Sequence, residues 1–134
     1  MSGLTDLNDI LRSLKPKLCD DEFVFISRPG PSYGDGADLN PVGAFVESEG
    51  LTLIVSRKRA DRASECYDGV FRMVTLEVHS SLQAVGLTAA VSQALSRNDI
   101  SANVVAAFHH DHVFVPGSQA NDAVRVLETL AAEQ

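Results

Sequence analysis

Tryptophan is absent, and aromatic residues supply only 6% of the chain. The apolar mass is therefore Val, Leu, Ala and Ile. At 45% hydrophobic content this suits a tightly packed domain of helices and strands better than an aromatic-rich binding surface. Cations are scarce as well: Lys and Arg number 11 against 18 Asp and Glu, for a formal net charge of -7. Nucleic-acid binding needs cations that displace counterions from phosphates. The one basic cluster, Arg57, Lys58, Arg59 and Arg62, is short and has Asp61 and Glu65 beside it. Nucleic acids and anionic membranes are therefore excluded as partners.

Long apolar runs are missing too. No segment approaches the roughly 20 residues of a membrane span. The opening Met1-Ser2-Gly3-Leu4-Thr5-Asp6 lacks the basic start and apolar stretch of a secretory signal. Cys19 and Cys66 stand far apart and form no C-x-x-C, so two free thiols in a reducing cytoplasm are expected. With 134 residues the chain is one ordinary domain or two very small modules sharing a core.

What is present reads as a compact mixture of helices and strands. Leu4, Leu7, Ile10, Leu11 and Leu14 recur at helical spacing, with Thr5 as a cap and Pro16 as a stop. Residues 22–28 hold a short strand-like run, and the Gly- and Pro-rich stretch 29–41 reads as a loop. Residues 43–47 and 51–57 form a hairpin about Ser48, Glu49 and Gly50. Residues 58–65 suit a short helix, and Asp68-Gly69 marks a turn and module boundary. Along residues 71–78, Val74, Leu76 and Val78 alternate with Met73, Thr75 and Glu77. Residues 82–97 carry Leu87, Ala90, Val91, Ala94 and Leu95 at helical spacing. Two β-rich runs follow, 100–108 and 112–115, joined through His109-His110-Asp111. Ser118 can cap a last helix with Ala120, Ala123, Val124, Leu127 and Leu130 on one face.

The second half thus reads β-α-β-β-α, a ferredoxin-like unit short of its final strand, and the first half has a strand to spare. The expected architecture is α+β: two intertwined ferredoxin-like modules, residues 1–68 and 69–134. A sheet face left open by the helices predicts self-association as a homodimer or larger homo-oligomer.

Residues 80–91 (SSLQAVGLTAAV) and 100–116 (ISANVVAAFHHDHVFVP) are similar to a bacterial family of tandem ACT-like proteins with no assigned activity. Residues 47–55 (ESEGLTLIV) resemble the first module of that family. The resemblance implies βαββαβ folds, paired modules and amino-acid binding at module interfaces, as in the ACT pairs of aspartate kinases and the arginine sensors of animal cells. It places ligand contacts in two regions. One is the loop and first helical turn after the opening strand of the second module: Ser80, Ser81, Leu82, Ala84, Val85, Gly86 and Leu87. The other is the following strand and hairpin: Asn103, Val104, Val105, His110 and Asp111. The His109-His110 pair departs from the amino-acid-sensing relatives.

The physical chemistry of the first region suits a carboxylate, because the first-turn N–H groups of a helix are unpaired and the dipole favours negative charge. The same serines could equally cap the helix, and Gly86 could serve packing alone. In the second region the imidazoles and Asp111 are metal-ligand types, but alternation puts His110 and His112 on one side and His109 and Asp111 on the other, with His79 the only further histidine. No metal or cofactor is expected. Catalysis has no support either: G-x-S-x-G is absent, and residues 32–36 lack the Lys-Ser/Thr ending of a phosphate loop. The reading is a cytoplasmic, non-catalytic sensor of a small molecule, an amino acid, with a ligand-free dimerisation or interaction module that regulates a partner enzyme as the alternative.

Overall fold

The computed structural model describes residues 6–30, 34–78 and 85–134. The chain divides into two compact units, Met1–Asp20 with Arg72–Gln134, and Asp21–Phe71. The ends of the chain thus build one unit and its middle builds the other.

The first unit contains α1 (Leu7–Ser13), the opening part of β1 (Lys15–Arg28), β4 (Phe71–Glu77), α3 (Leu87–Ser96), β5 (Asn103–Ala106), β6 (Asp111–Pro116) and α4 (Ala120–Ala132). Its strands run in the order β1-β4-β6-β5. Helical spacing brings Ile10 and Leu11 of α1, Leu87, Val91 and Leu95 of α3, and Ala120, Ala123 and Leu127 of α4 onto one core, with Leu14 just after α1. Alternation along the strands adds Val74, Leu76, Val113 and Val115 to the same cluster. Each large side chain buried there contributes about 1.5–3 kcal/mol of transfer free energy.

Local chemistry sets the ends of these helices. The Asp6 carboxylate accepts a hydrogen bond from the Asp9 backbone N–H at 3.1 Å and caps α1. This role was expected of Thr5, which lies outside the described residues. α3 stops where Asp99 takes a left-handed φ of 58°, and the Ile100 N–H turns back to the Leu95 carbonyl at 3.0 Å. α3 begins at Leu87 and not at residue 82 as the periodicity predicts. α4 is entered through a 3-10 turn, Gly117–Gln119, with no side-chain cap, so Ser118 does not fill the expected capping role.

The second unit holds the remainder of β1 with β2 (Gly43–Glu47), β3 (Gly50–Ser56) and α2 (Arg57–Arg62), and its strand order is β2-β3-β1. Both pairings are antiparallel, with Val24 opposite Val55 and Phe45 opposite Thr52. Val24, Ile26, Leu51, Leu53 and Val55 form its core with Leu39, which a 3-10 turn at Ala37–Leu39 delivers, and with Ala60 of α2. Ser56 caps α2 by accepting from the Arg59 N–H. Arg28 fastens the loop after β1: it donates to the Asp35 carbonyl and to Asp38 and Glu65, the last at 2.8 Å. Gly50 has a steric reason to be glycine. Its φ is +151°, and a Cβ would stand 2.5 Å from the Arg28 carbonyl oxygen.

Strand β1 is 14 residues long and already begins at Lys15, so the expected strand at 22–28 is only its second half. Pro16 sits at the second residue of β1, where a missing N–H is tolerated more readily than in a central ladder.

Candidate functional site

Five of the candidate residues, Asn103, Val104, Val105, His110 and Asp111, lie on β5, the β5–β6 turn and the start of β6, beside β4 in the first unit. β4 sends Val74 and Leu76 into the helix-covered core and leaves Thr75 on the opposite side, half-buried. On the neighbouring β6, Val113 and Val115 join the core while His112 and Phe114 face the other way. Thr75 Oγ1 and His112 Nδ1 lie 3.0 Å apart and tie the two strands together. β5 closes this edge antiparallel to β6, pairing Asn103 with Phe114, Val104 with Val113, Val105 with His112 and Ala106 with Asp111. The Asn103 Nδ2 donates to the Phe114 carbonyl at 3.3 Å. Val105 is 37% exposed and stands beside His112, whereas Val104 packs against the core.

The β5–β6 turn closes with the Ala107 N–H donating to the His110 carbonyl at 3.1 Å. At its tip Phe108 is 79% exposed, and its ring meets that of His109 edge-on at 5.0 Å. His110 is half-buried, as are Asp111 and His112 at the start of β6.

The electrostatics of this corner are unusual for a protein so rich in carboxylates. Burial pushes the Asp111 carboxyl above its ordinary range, against the opposing influence of His112 and His110. Among the described residues no hydrogen bond or ion pair reaches its carboxylate. Burial also pulls the His112 imidazole below its usual value; the charge of His110 acts the same way, and Asp111 opposes both. Both side chains are therefore biased towards their neutral forms.

The other predicted region is described only in part. Ser80, Ser81, Leu82 and Ala84 lie outside the described residues, as does His79. Val85 is 83% exposed. Gly86 leads into α3 with φ +104°, and a Cβ there would come within 2.9 Å of Leu7 Cδ2. This glycine therefore lets α1 approach the start of α3. Leu87 is 4% exposed and belongs to the core. The first turn of α3 has no side-chain cap. Thr75 was not singled out from the sequence as a site residue, although the alternation along residues 71–78 already puts it on the face opposite Val74 and Leu76.

Among the described residues no group of His, Cys, Asp and Glu is placed to hold a metal ion, and no helix is long and apolar enough to cross a membrane. The second unit has a cavity of about 290 Å³ bordered by Gly36, Asn40, Val42 and Leu53.

An antiparallel sheet with helices packed on one face defines the class: the chain belongs to the ACT domain family. Models of that domain match residues 2–72 and 70–129, so two ACT domains lie in tandem. The chain is similar to a Vibrio cholerae protein of unknown function, described as a possible transport protein, with 39% identity over 97% of this chain and 99% of that one and a TM-score of 0.86. An Agrobacterium tumefaciens protein shares 20% identity over 88% of this chain and 89% of its own, with a TM-score of 0.65. The fold is also that of the ligand-free regulatory subunit of aspartate kinase from Thermus thermophilus, at 12% identity, a TM-score of 0.58, and coverage of 86% of this chain and 95% of that one. No curated protein matches the chain.

Proposed function

We propose that this tandem ACT protein is a non-catalytic cytoplasmic regulator that binds a small metabolite, an amino acid, at the corner formed by β5, β6 and the start of α3. The observation that carries the reading is Asp111. Its carboxylate is half-buried and has no hydrogen-bond or ion-pair partner among the described residues, so a ligand cation could meet it without displacing a protein partner. A ligand ammonium would do so. The ligand carboxylate would take the N–H groups of the first α3 turn, where the helix dipole adds about 0.3–1 kcal/mol. Asn103 and Val105 pair with Phe114 and His112 on the opposite face of the sheet, so neither would border a ligand held there. The fold shared with an aspartate kinase regulatory subunit is in keeping with this reading.

A thermal-shift panel of the proteinogenic amino acids tests it. A ligand present at about a hundred times its dissociation constant stabilises the fold by ~2.7 kcal/mol. One or a few amino acids should raise the melting temperature, and a flat panel would overturn the proposal.

A second reading, a ligand-free dimerisation module that regulates a partner enzyme, is favoured by the edge strand β2. Phe45 is 69% exposed and Val46 47%, next to Val42 at 54%, an apolar edge of the kind that pairs with another chain. It predicts a homo-oligomer that is indifferent to Asp111→Ala and a melting temperature that no amino acid moves. Light scattering that finds a monomer at micromolar concentration would remove it.

A further inference from the structure

Two helices of the first unit border an open second candidate site that shares no residue with the Asp111 corner. A cleft of about 420 Å³ lies between the C-terminal part of α3 and the outer flank of α4. That size falls within the roughly 300–1,000 Å³ typical of small-ligand pockets. Its floor is apolar: Ile100 is buried, and Val126 and Leu130 remain half-exposed beside it. The two residues of α4 follow the helical period one step round from the core-facing Ala123 and Leu127, so they point to the flank and not to the sheet.

The polar groups of the cleft separate into a cancelled pair and an open pair. Asp122 and Arg125 bond to each other one turn apart on α4. Arg97 and Glu133 border the same cleft, and neither side chain has a hydrogen-bond or ion-pair partner among the described residues. The last carbonyls of α3, which would repel an anion, are occupied. Asn98 Nδ2 donates to the Ala94 carbonyl at 2.9 Å, and the Ile100 N–H donates to that of Leu95. One open cation, one open anion and an aliphatic floor are complementary to one kind of molecule.

We propose that the α3–α4 cleft binds a small aliphatic zwitterion, with its carboxylate on Arg97, its ammonium on Glu133 and its hydrocarbon on Val126 and Leu130. Each of the three contacts can be removed separately, either from the ligand or from the protein. Leucine is the probe; isocaproate lacks its amine and isoamylamine lacks its carboxylate.

The test is titration of the isotopically labelled full chain followed by amide correlation spectra. Leucine should move the signals of residues 94–100 and 122–133. Arg97→Gln and Glu133→Gln should each weaken this response about tenfold, as should either single-charge analogue. Both variants alter exposed positions, so an unchanged melting temperature is expected and separates lost binding from lost folding. Asp111→Asn should leave the titration intact, which keeps this site distinguishable from the one at the β5–β6 corner. The proposal is overturned by leucine moving no signal in the cleft, by equal binding of the wild type and both charge variants, or by Asp111→Asn abolishing the response.

Discussion

Asp111→Asn should stabilise the unliganded protein at neutral pH and abolish binding at the β5–β6 corner. Asn is the same shape, so the change removes charge without leaving a cavity. A fully buried polar group left unsatisfied costs about 1–3 kcal/mol, and more when charged. Asp111 is only half-buried, so relief of about 1 kcal/mol is expected, or roughly 3–5 °C in melting temperature for a chain of this size. The pH dependence follows from the direction of the shift. The folded state holds the Asp111 proton more tightly than the unfolded state does. Its stabilising contribution is therefore complete below the ordinary carboxylate range of about 4 and is lost as pH rises through the higher folded-state value. The side chain in the variant has no proton to lose. The stability difference between variant and wild type should accordingly be small near pH 4 and widen towards pH 7. Urea melts at several pH values measure this directly. A variant less stable than wild type at pH 7, or a difference that does not change with pH, would refute the reasoning, because it would mean the carboxylate already has a partner that it needs.

Two further substitutions probe the same region. His112→Gln should flatten the loss of stability on acidification from about pH 6.5 downward, because the lowered folded-state value of the imidazole gives a contribution that is present above the ordinary histidine value and lost below it; thermal melts between pH 5 and 7 read this out. Gly86→Ala should cost about 1–3 kcal/mol in chemical denaturation, since alanine disfavours a φ of +104° and its methyl group would press on Leu7.

Much of the fold was legible because its signals are periodic and local. Val74, Leu76 and Val78 alternate, Leu87, Val91 and Leu95 repeat at helical spacing, and each set proves buried where its period puts it. Harder to see were features decided by tertiary context. The opening of β1 carries Lys15, Pro16, Lys17, Asp20 and Asp21, so nothing in composition marks it as a strand. Its extended form follows from lying next to β4, where Arg72 donates to the Cys19 carbonyl. α3 was expected to span residues 82–97 on the helical spacing of Leu87, Ala90, Val91, Ala94 and Leu95. Gly86 with its left-handed backbone and the close approach of Leu7 set the start at Leu87 instead. The site was legible only as residue types. The resemblance picked out the hairpin from 103 to 111, but neither periodicity nor motif could say that Asp111 would be desolvated. Nor could they say that His112 would bond across to Thr75 on a strand about forty positions earlier.

The two shifted groups have a joint consequence for ligand recognition. Asp111 and His112 are moved in opposite directions, yet each shift favours the uncharged form. An ammonium needs the carboxylate form of Asp111, and the raised value extends the acidic pH range in which the empty site holds a proton. Within that range the ligand would bind the carboxylate form and release a proton as it did so. Affinity for an amine-bearing ligand should therefore rise with pH through the elevated Asp111 value and level off above it. A ligand recognised through its carboxylate alone would show no such rise. Calorimetric titration in buffers of different ionisation enthalpy reports the proton count. Zero release at a pH near the Asp111 value would show that the ammonium does not bind there, even if an amino acid stabilises the protein.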